Sequence, residues 1–287
     1  MKLVHDGHFW RRLAQLGASR GPGWFVEYSP ALFGLAAAAL VPGARRAVLA
    51  NLHRIRGPAG SVRDALDVAK TFVTYAGCLT EVLSSGSPNA CMPEAEVRGN
   101  DNIARATRDK RGVVLVTAHT AGWEIVGPLL GRDHGLDLVM VMRAERDPAA
   151  RALQDEARLK SGVRVAHVGD DPLASLALLH HLRANGAVAL QIDRVPPRVR
   201  ARSVRLFDGP GAIPEGPLRL AQAARAPVVA VFCARVGFRR YLIDVAPPIF
   251  VSRRAGRDEL DAAAQSLADA MSGFLKAHPT QWFHFGP

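Results

Sequence analysis

At 287 residues the chain is long enough to bury a sizeable core, as one large α/β domain or two smaller ones. Hydrophobic residues make up 48% and charged residues 22%, which excludes extended disorder. A net charge of +11, from 37 Lys and Arg against 26 Asp and Glu, demands electropositive surface whose natural counterpart is phosphate. Nucleic acid, anionic lipid headgroups, and coenzyme A or an acidic acyl-carrying protein all fit that demand.

Cys78, Cys91 and Cys233 are odd in number and widely spaced, without a C-x-x-C, so neither a disulfide framework nor a structural zinc site is expected. A reducing cytoplasm suits them. Met1 to His8 carries Asp6 and two histidines and has no apolar core, which argues against a signal peptide. The most apolar early stretch, Ala31 to Val41, is about half of the roughly 20 residues that a bilayer crossing requires. No transmembrane helix is predicted, although an interfacial one is compatible with Trp24, Phe25, Leu32, Phe33 and Leu35 near Arg11, Arg12 and Arg20. The same helix reads equally as one that packs on the core.

Residues 8 to 85 have apolar side chains at helical spacing, with breaks at Gly21-Pro22-Gly23, Pro42-Gly43 and Gly57-Pro58, and predict four helices. From Glu94 the pattern changes to short β-rich runs: Glu94–Arg98, Gly112–Ala118, Leu136–Met142, Val163–Val168, Ala187–Ile192 and Pro227–Cys233. Helical stretches lie between them near 122–133, 148–161, 172–184 and 214–225. Runs such as Val113-Val114-Leu115-Val116 are apolar throughout, as strands covered on both faces must be. A strand near Tyr241–Val245 and a final helix over about 256–277 complete the chain. The expected fold is α/β, a mostly parallel sheet with helices on both faces, with residues 1–90 as a helical segment packed on a 91–287 core.

One constellation carries chemistry. A buried strand ends at Ala118, and His119 stands just beyond its carboxyl end, where open α/β sheets place their ligands. Glu124 follows five residues later, a spacing that on one helix sets the side chains about 140° apart, so Thr120-Ala121-Gly122 must turn for them to meet. A carboxylate on one ring nitrogen would fix the tautomer while the other nitrogen takes a hydroxyl proton. Taken alone, the pair also reads as a core histidine beside a solvated acid. There is no G-x-S-x-G elbow, no H-E-x-x-H and no clustered His or Cys, so no serine nucleophile and no metal are expected.

His119 to Glu124 resembles the H-x-x-x-x-[DE] block of glycerolipid acyltransferases, and Gly112–Gly127 is similar to the bacterial lipid A biosynthesis acyltransferase branch, which includes phosphatidylinositol mannoside acyltransferases. That branch commonly reads H-x-G-N-W-E; here Ala121 stands in place of the Gly and Gly122 in place of the Asn. The resemblance continues in order through Val141-Met142-Arg143 with Asp147-Pro148, Ala189 to Arg194, Phe207 to Pro210 with Ile213 to Pro217, and His278-Pro279-Thr280-Gln281-Trp282-Phe283.

The resemblance implies transfer of a fatty acyl group from acyl-CoA or an acyl-carrier protein to a hydroxyl of a lipid or glycolipid, with His119 as base, Glu124 as its partner and no bound cofactor. It implies a peripheral protein on the inner, anionic face of the cell membrane. Arg143 is then a candidate for an oxyanion or phosphate, or pairs with Glu145 or Asp147. Asp193 and Arg194, at another strand end, serve the site or pair structurally. Glu215 and Gly216 open a helix whose free N–H groups suit an anion, although the Glu215 carboxylate reads better as a favourable first-turn charge. Arg198, Arg200, Arg202 and Arg205, with Arg194, form a basic loop for donor phosphates, a carrier protein or headgroups, or simply a solvated run. Trp282 reads as core packing. The rival readings are an acyltransferase acting on a small natural product, an inactive relative that serves as a binding subunit, and a basic nucleic-acid or anionic-lipid binder. Nucleic acid is disfavoured as a partner, because no reading helix, zinc finger or RNA-binding aromatic block is present.

Overall fold

The computed structural model describes residues 21–84, 93–122, 134–143, 164–168, 174–197 and 199–286, with the single positions 17, 127 and 131. Three helices come first: α1 Gly23–Leu40, α2 Pro42–Arg56 and α3 Ser61–Ser84. Their limits follow the sequence breaks. Pro42 occupies the first turn of α2, where its missing N–H costs nothing, and Gly57 ends that helix at φ 77°, a conformation glycine adopts without strain. The rest of the predicted N-terminal helix lies outside the described residues.

In α1 the buried positions are Val26, Pro30, Gly34 and Ala38, a stripe spaced by four. Gly34 is where α1 meets α3: a Cβ there would stand 2.6 Å from the Val73 Cα, so only a hydrogen permits this approach. Helix α2 is tied to α3 by charge, Arg56 reaching Asp64 at 2.8 Å and Asp67 at 2.9 Å, with His53 Nε2 2.7 Å from Asp64. His53 and Arg56 hold the Asp64 carboxyl below the usual carboxylate range.

The remaining helices are α4 Asn100–Thr107, α5 Ala174–Arg183, α6 Gly216–Ala224 and α7 Arg257–Ala277. The strands are β1 Glu94–Arg98, β2 Val113–Thr117, β3 Leu138–Arg143, β4 Arg164–Val168, β5 Ala187–Gln191, β6 Ala201–Leu206, β7 Gly209–Pro214, β8 Val228–Gly237 and β9 Arg240–Val245. Seven of them form one sheet in the order β1-β9-β8-β2-β5-β3-β4. Every neighbouring pair is parallel except the hairpin β8–β9. The expected mostly parallel α/β fold with an N-terminal helical segment is the one formed.

Strand β2 shows why this sheet is covered twice. Val114 and Val116 join the core that includes Leu218 of α6 and Leu267, Met271 and Leu275 of α7. Val113 and Leu115 join the opposite core with Ile103 of α4 and Cys78 of α3. Each valine so enclosed contributes roughly 1.5–3 kcal/mol by leaving water.

The arginine run after Asp193 departs from the sequence expectation. Instead of a loop throughout, β6 and β7 form a two-stranded antiparallel hairpin docked on α7, with Arg202 and Arg205 in β6. Val204 and Leu206 are buried while Arg205 faces solvent, the alternation of a half-covered strand. Pro196-Pro197 and the density of arginine conceal that alternation in the sequence.

On the other side of the sheet, α3 is fastened to the β8–β9 hairpin by a buried acid. Glu81 receives the Arg235 guanidinium at 2.8 and 2.7 Å, the Arg239 backbone N–H at 3.2 Å and the Tyr241 hydroxyl. Removing one partner strands the other charge, so Glu81→Ala is expected to cost about 3–5 kcal/mol, read as a lower denaturant midpoint at unchanged slope.

Candidate active site

Register builds the site. Strands β2 and β5 are parallel neighbours with Thr117 opposite Gln191, and the Ile192 N–H donates to the Thr117 carbonyl at 2.8 Å. His119 and Asp193 each lie two residues past that last paired rung and leave the sheet side by side at its carboxyl edge. Their side chains meet: His119 Nδ1 is 2.8 Å from Asp193 Oδ1 and 3.1 Å from Oδ2. The Asp193 side chain is 0% exposed and that of His119 is 26% exposed, so the acid stands behind a ring that solvent reaches.

A carboxylate this deep is disfavoured by burial, which pushes its pKa up. The bond and charge of His119, the Trp282 indole and the nearby Arg194 outweigh that effect and hold Asp193 below the usual carboxylate range. It is therefore ionised at neutral pH. Its partnership with His119 is complete above the ordinary carboxylate pKa and is lost only as pH falls through the depressed one.

The C-terminal segment closes this corner. The Phe283 N–H donates to the His119 carbonyl at 2.7 Å, and Thr120 and Trp282 form an antiparallel bridge. Arg194 donates to the Phe283 carbonyl at 2.9 Å. Trp282, 3% exposed, donates its indole N–H to Asp193 Oδ2 at 2.9 Å. His284 stacks on the Trp282 ring with centroids 5.3 Å apart, and burial with the charge of Arg194 lowers its pKa.

Gly122 explains its own identity. It lies at φ 74°, which asparagine also adopts, but a Cβ there would stand 2.4 Å from the Tyr241 ring, so the turn after His119 excludes the bulk of any side chain.

The residues named from sequence separate into groups. His119 and Asp193 are brought together, with Asp193, not named as the base's partner, on Nδ1. Glu124 and Arg198 lie outside the described residues. Arg143 ends β3 at the same sheet edge as His119 and Asp193. Arg194 flanks the dyad through the Phe283 carbonyl. Glu215 stands at the start of α6 with Gly216 as the first helical residue, as the sequence indicates. Its carboxylate, however, is the hub of an ion cluster, bound by Arg202 at 3.1 Å and by Arg219, and these guanidinium groups hold it below its ordinary pKa. Arg202 also bonds Asp261 of α7. The reading of Arg202 as a free basic-loop residue is corrected on that ground: two carboxylates neutralise it, and it locks the hairpin to the core. Arg200 and Arg205 are exposed.

Two contacts escaped the sequence reading: Asp193 with His119, and Trp282 with Asp193. The first had a legible signal in two expected strands, Gly112–Ala118 and Ala187–Ile192, that each end one residue before a chemically active side chain. The second links residues 89 apart and had none.

Cys78 and Cys233 are buried, burial pushing Cys78 up to about 12 and Cys233 well above its usual value, so neither is a thiolate at neutral pH. Among the described residues no group of three or more His, Cys, Asp or Glu is placed to hold a metal, and no single helix is long and apolar enough to cross a membrane.

A buried, ionised carboxylate behind an accessible imidazole can take a proton from a hydroxyl and support the charge so formed. Residues 24–287 match the family described as bacterial lipid A biosynthesis acyltransferase. The phosphatidylinositol mannoside acyltransferases of Mycobacterium tuberculosis strains CDC 1551/Oshkosh and ATCC 25618/H37Rv are each 27% identical to it over 244 residues, covering 83% of this chain and 74% of theirs. With a match over nearly its whole length, the chain belongs to the bacterial lipid A biosynthesis acyltransferase family and is an O-acyltransferase of lipid biosynthesis.

Proposed function

We propose that the protein moves a fatty acyl group from an acyl thioester to a hydroxyl of a phosphate-bearing glycolipid, with His119 as general base and Asp193 as the acid that orients it. The contact between His119 Nδ1 and the buried Asp193 carboxylate carries the reading. The proton-accepting atom in this reading is Nε2. As the acceptor oxygen attacks the thioester carbonyl, its proton passes to Nε2, and Asp193 stabilises the imidazolium across the ring. The tetrahedral oxyanion is held by backbone N–H groups or by Arg143, a kind of preorganised electrostatic support that is generally the largest contribution to such reactions. Collapse breaks the carbon–sulfur bond, the ester remains, and the thiol leaves as thiolate or takes the proton from His119. Glu124, the acid of the H-x-x-x-x-E block, is kept in this reading on the sequence resemblance alone, as a second candidate acid.

The acceptor class is suggested by the relatives, whose names specify a phosphatidylinositol mannoside. The donor is acyl-CoA or acyl-carrier protein, and a net charge of +11 suits either. Helix α1 suits work at a bilayer: Trp24, Tyr28, Leu32 and Phe33 are 65–71% exposed, the exposed Arg45 and Arg46 follow at the start of α2, and Glu27 is its one charged residue. The protein then acts as a peripheral enzyme on the anionic cytoplasmic face.

Transfer is measured with both donor types on a lipid extract. His119→Ala is expected to lower kcat by about 10³-fold or more and Asp193→Asn by about 10²-fold. Turnover by His119→Ala near the wild-type rate would remove the base. Glu124→Gln, measured in parallel, reports the share of the second acid.

For the bilayer, Trp24 fluorescence should shift to shorter wavelength on anionic vesicles. Leu32→Asp should weaken vesicle binding by about tenfold, the scale expected for withdrawing one buried leucine. Equal binding by this variant would show that α1 does not enter the lipid.

A further inference from the structure

We propose that Trp282 is a positioning residue for catalysis, whose indole N–H holds the Asp193 carboxylate in the orientation that presents it to His119 Nδ1. The proposal rests on the dyad reading above.

The geometry is a relay with no slack. Asp193 is joined to two side chains: Trp282 Nε1 stands 2.9 Å from Oδ2, and His119 Nδ1 stands 2.8 Å from Oδ1 and 3.1 Å from Oδ2. A carboxylate bound to the imidazole alone can still rotate about its own bond to Cβ and trade oxygens. A second, fixed donor removes that freedom. Trp282 is fixed because its ring is 3% exposed, packs against Phe207 with centroids 5.9 Å apart and is stacked by His284. Its backbone is fixed as well, bridging Thr120, one residue past the base, while the next residue, Phe283, bonds the His119 carbonyl at 2.7 Å. The same short segment thus grips the base through its backbone and the acid through one ring nitrogen.

Packing alone does not require a nitrogen at that place. A buried tryptophan needs some acceptor for its N–H, and a backbone carbonyl would serve. Here the acceptor is a fully buried carboxylate already engaged by the base. Losing that donor leaves the anion with fewer hydrogen bonds, and bonds to ionised groups are the stronger class.

The test uses the full chain with Trp282 replaced by benzothienylalanine, which keeps the bicyclic shape and puts sulfur where the N–H was, and by Trp282→Phe as the genetic equivalent. The expected result is a fall in kcat of about tenfold with KM within about twofold, the scale of one hydrogen bond to a charged group. Because the Trp282 bond helps to hold Asp193 down, its loss raises that carboxyl's pKa, so activity is lost at higher pH than in the wild type as pH is lowered. Replacement by 7-azatryptophan, which retains the N–H, should restore both.

The control is a double-substitution cycle with Asp193→Asn. If Trp282 acts through the carboxylate, benzothienylalanine should cost little further kcat in that background. Wild-type kcat and pH profile in the benzothienylalanine protein, or an undiminished loss beside Asp193→Asn, would leave Trp282 as packing only and overturn the proposal. Failure of the dyad reading is seen separately, as full activity in His119→Ala. The Trp282–Asp193 coupling is then still decided by the same cycle read in thermal midpoints, where additive losses overturn it.

Discussion

The ionised Asp193 carboxylate, sealed beneath the sheet edge, sets the terms for everything around it. A charge withdrawn from water costs several kcal/mol unless it is repaid by donors and opposite charge at close range. Here that compensation comes from three groups: His119 from just beyond β2, Trp282 from the segment after α7, and the field of Arg194 beside it. Arg194 is the next residue, but His119 and Trp282 lie 74 and 89 residues away, so the acid gains its hydrogen bonds only in the finished fold. Asp193 in turn obliges the β2 and β5 ends to stay in register and the C-terminal segment to lie across them.

The sheet was legible because its strands are apolar on both faces. The runs at 113–116 and 228–233 alternate nothing, a pattern that only a doubly covered sheet explains, and their loops then fall at the carboxyl edge where His119 was sought. The turn chemistry at Pro42 and Gly57 was equally plain. What escaped was long-range and polar. The pairing of His119 with Asp193 depends on which strands become neighbours, and strand order β2-β5-β3 is not written in any local pattern. The β6–β7 hairpin was hidden for a different reason, since Arg202 shares the inward side of β6 with Val204 and Leu206 while Ala201, Ser203 and Arg205 face outward, so the strand shows no clean apolar alternation.

The excess of positive charge is also less free than the count implies. Arg56, Arg202 and Arg235 have side chains only 10–18% exposed, and each is bound to one or two carboxylates. They fasten helix to helix, hairpin to α7 and α3 to the β8–β9 hairpin. Arg194 differs, since its guanidinium donates to a backbone carbonyl and, among the described residues, no carboxylate lies within ion-pair distance of it. Desolvation lowers its pKa even so, with Asp193 opposing the shift. A cation next to the dyad that is not tied into an ion pair among the described residues lowers the energy of any anion brought there.

The exposed apolar face of α1 and the catalytic corner are joined by a short series of solid contacts. Gly34 of α1 lies against the α3 backbone at Val73, and two residues on, Tyr75 packs edge-on to Phe283 with centroids 5.2 Å apart. Phe72 of the same helix packs on Phe285, and Asn51 of α2 donates to the His284 carbonyl at 2.7 Å. Phe283 is the residue that bonds the His119 carbonyl. The helical layer therefore meets, by direct packing of α3 on Phe283 and Phe285, the segment that holds His119. On the proposed function, a bilayer that seated α1 would also fix the attitude of His119 toward it, which is what the proposed base needs if its acceptor hydroxyl arrives anchored in a lipid layer and cannot tumble to find it.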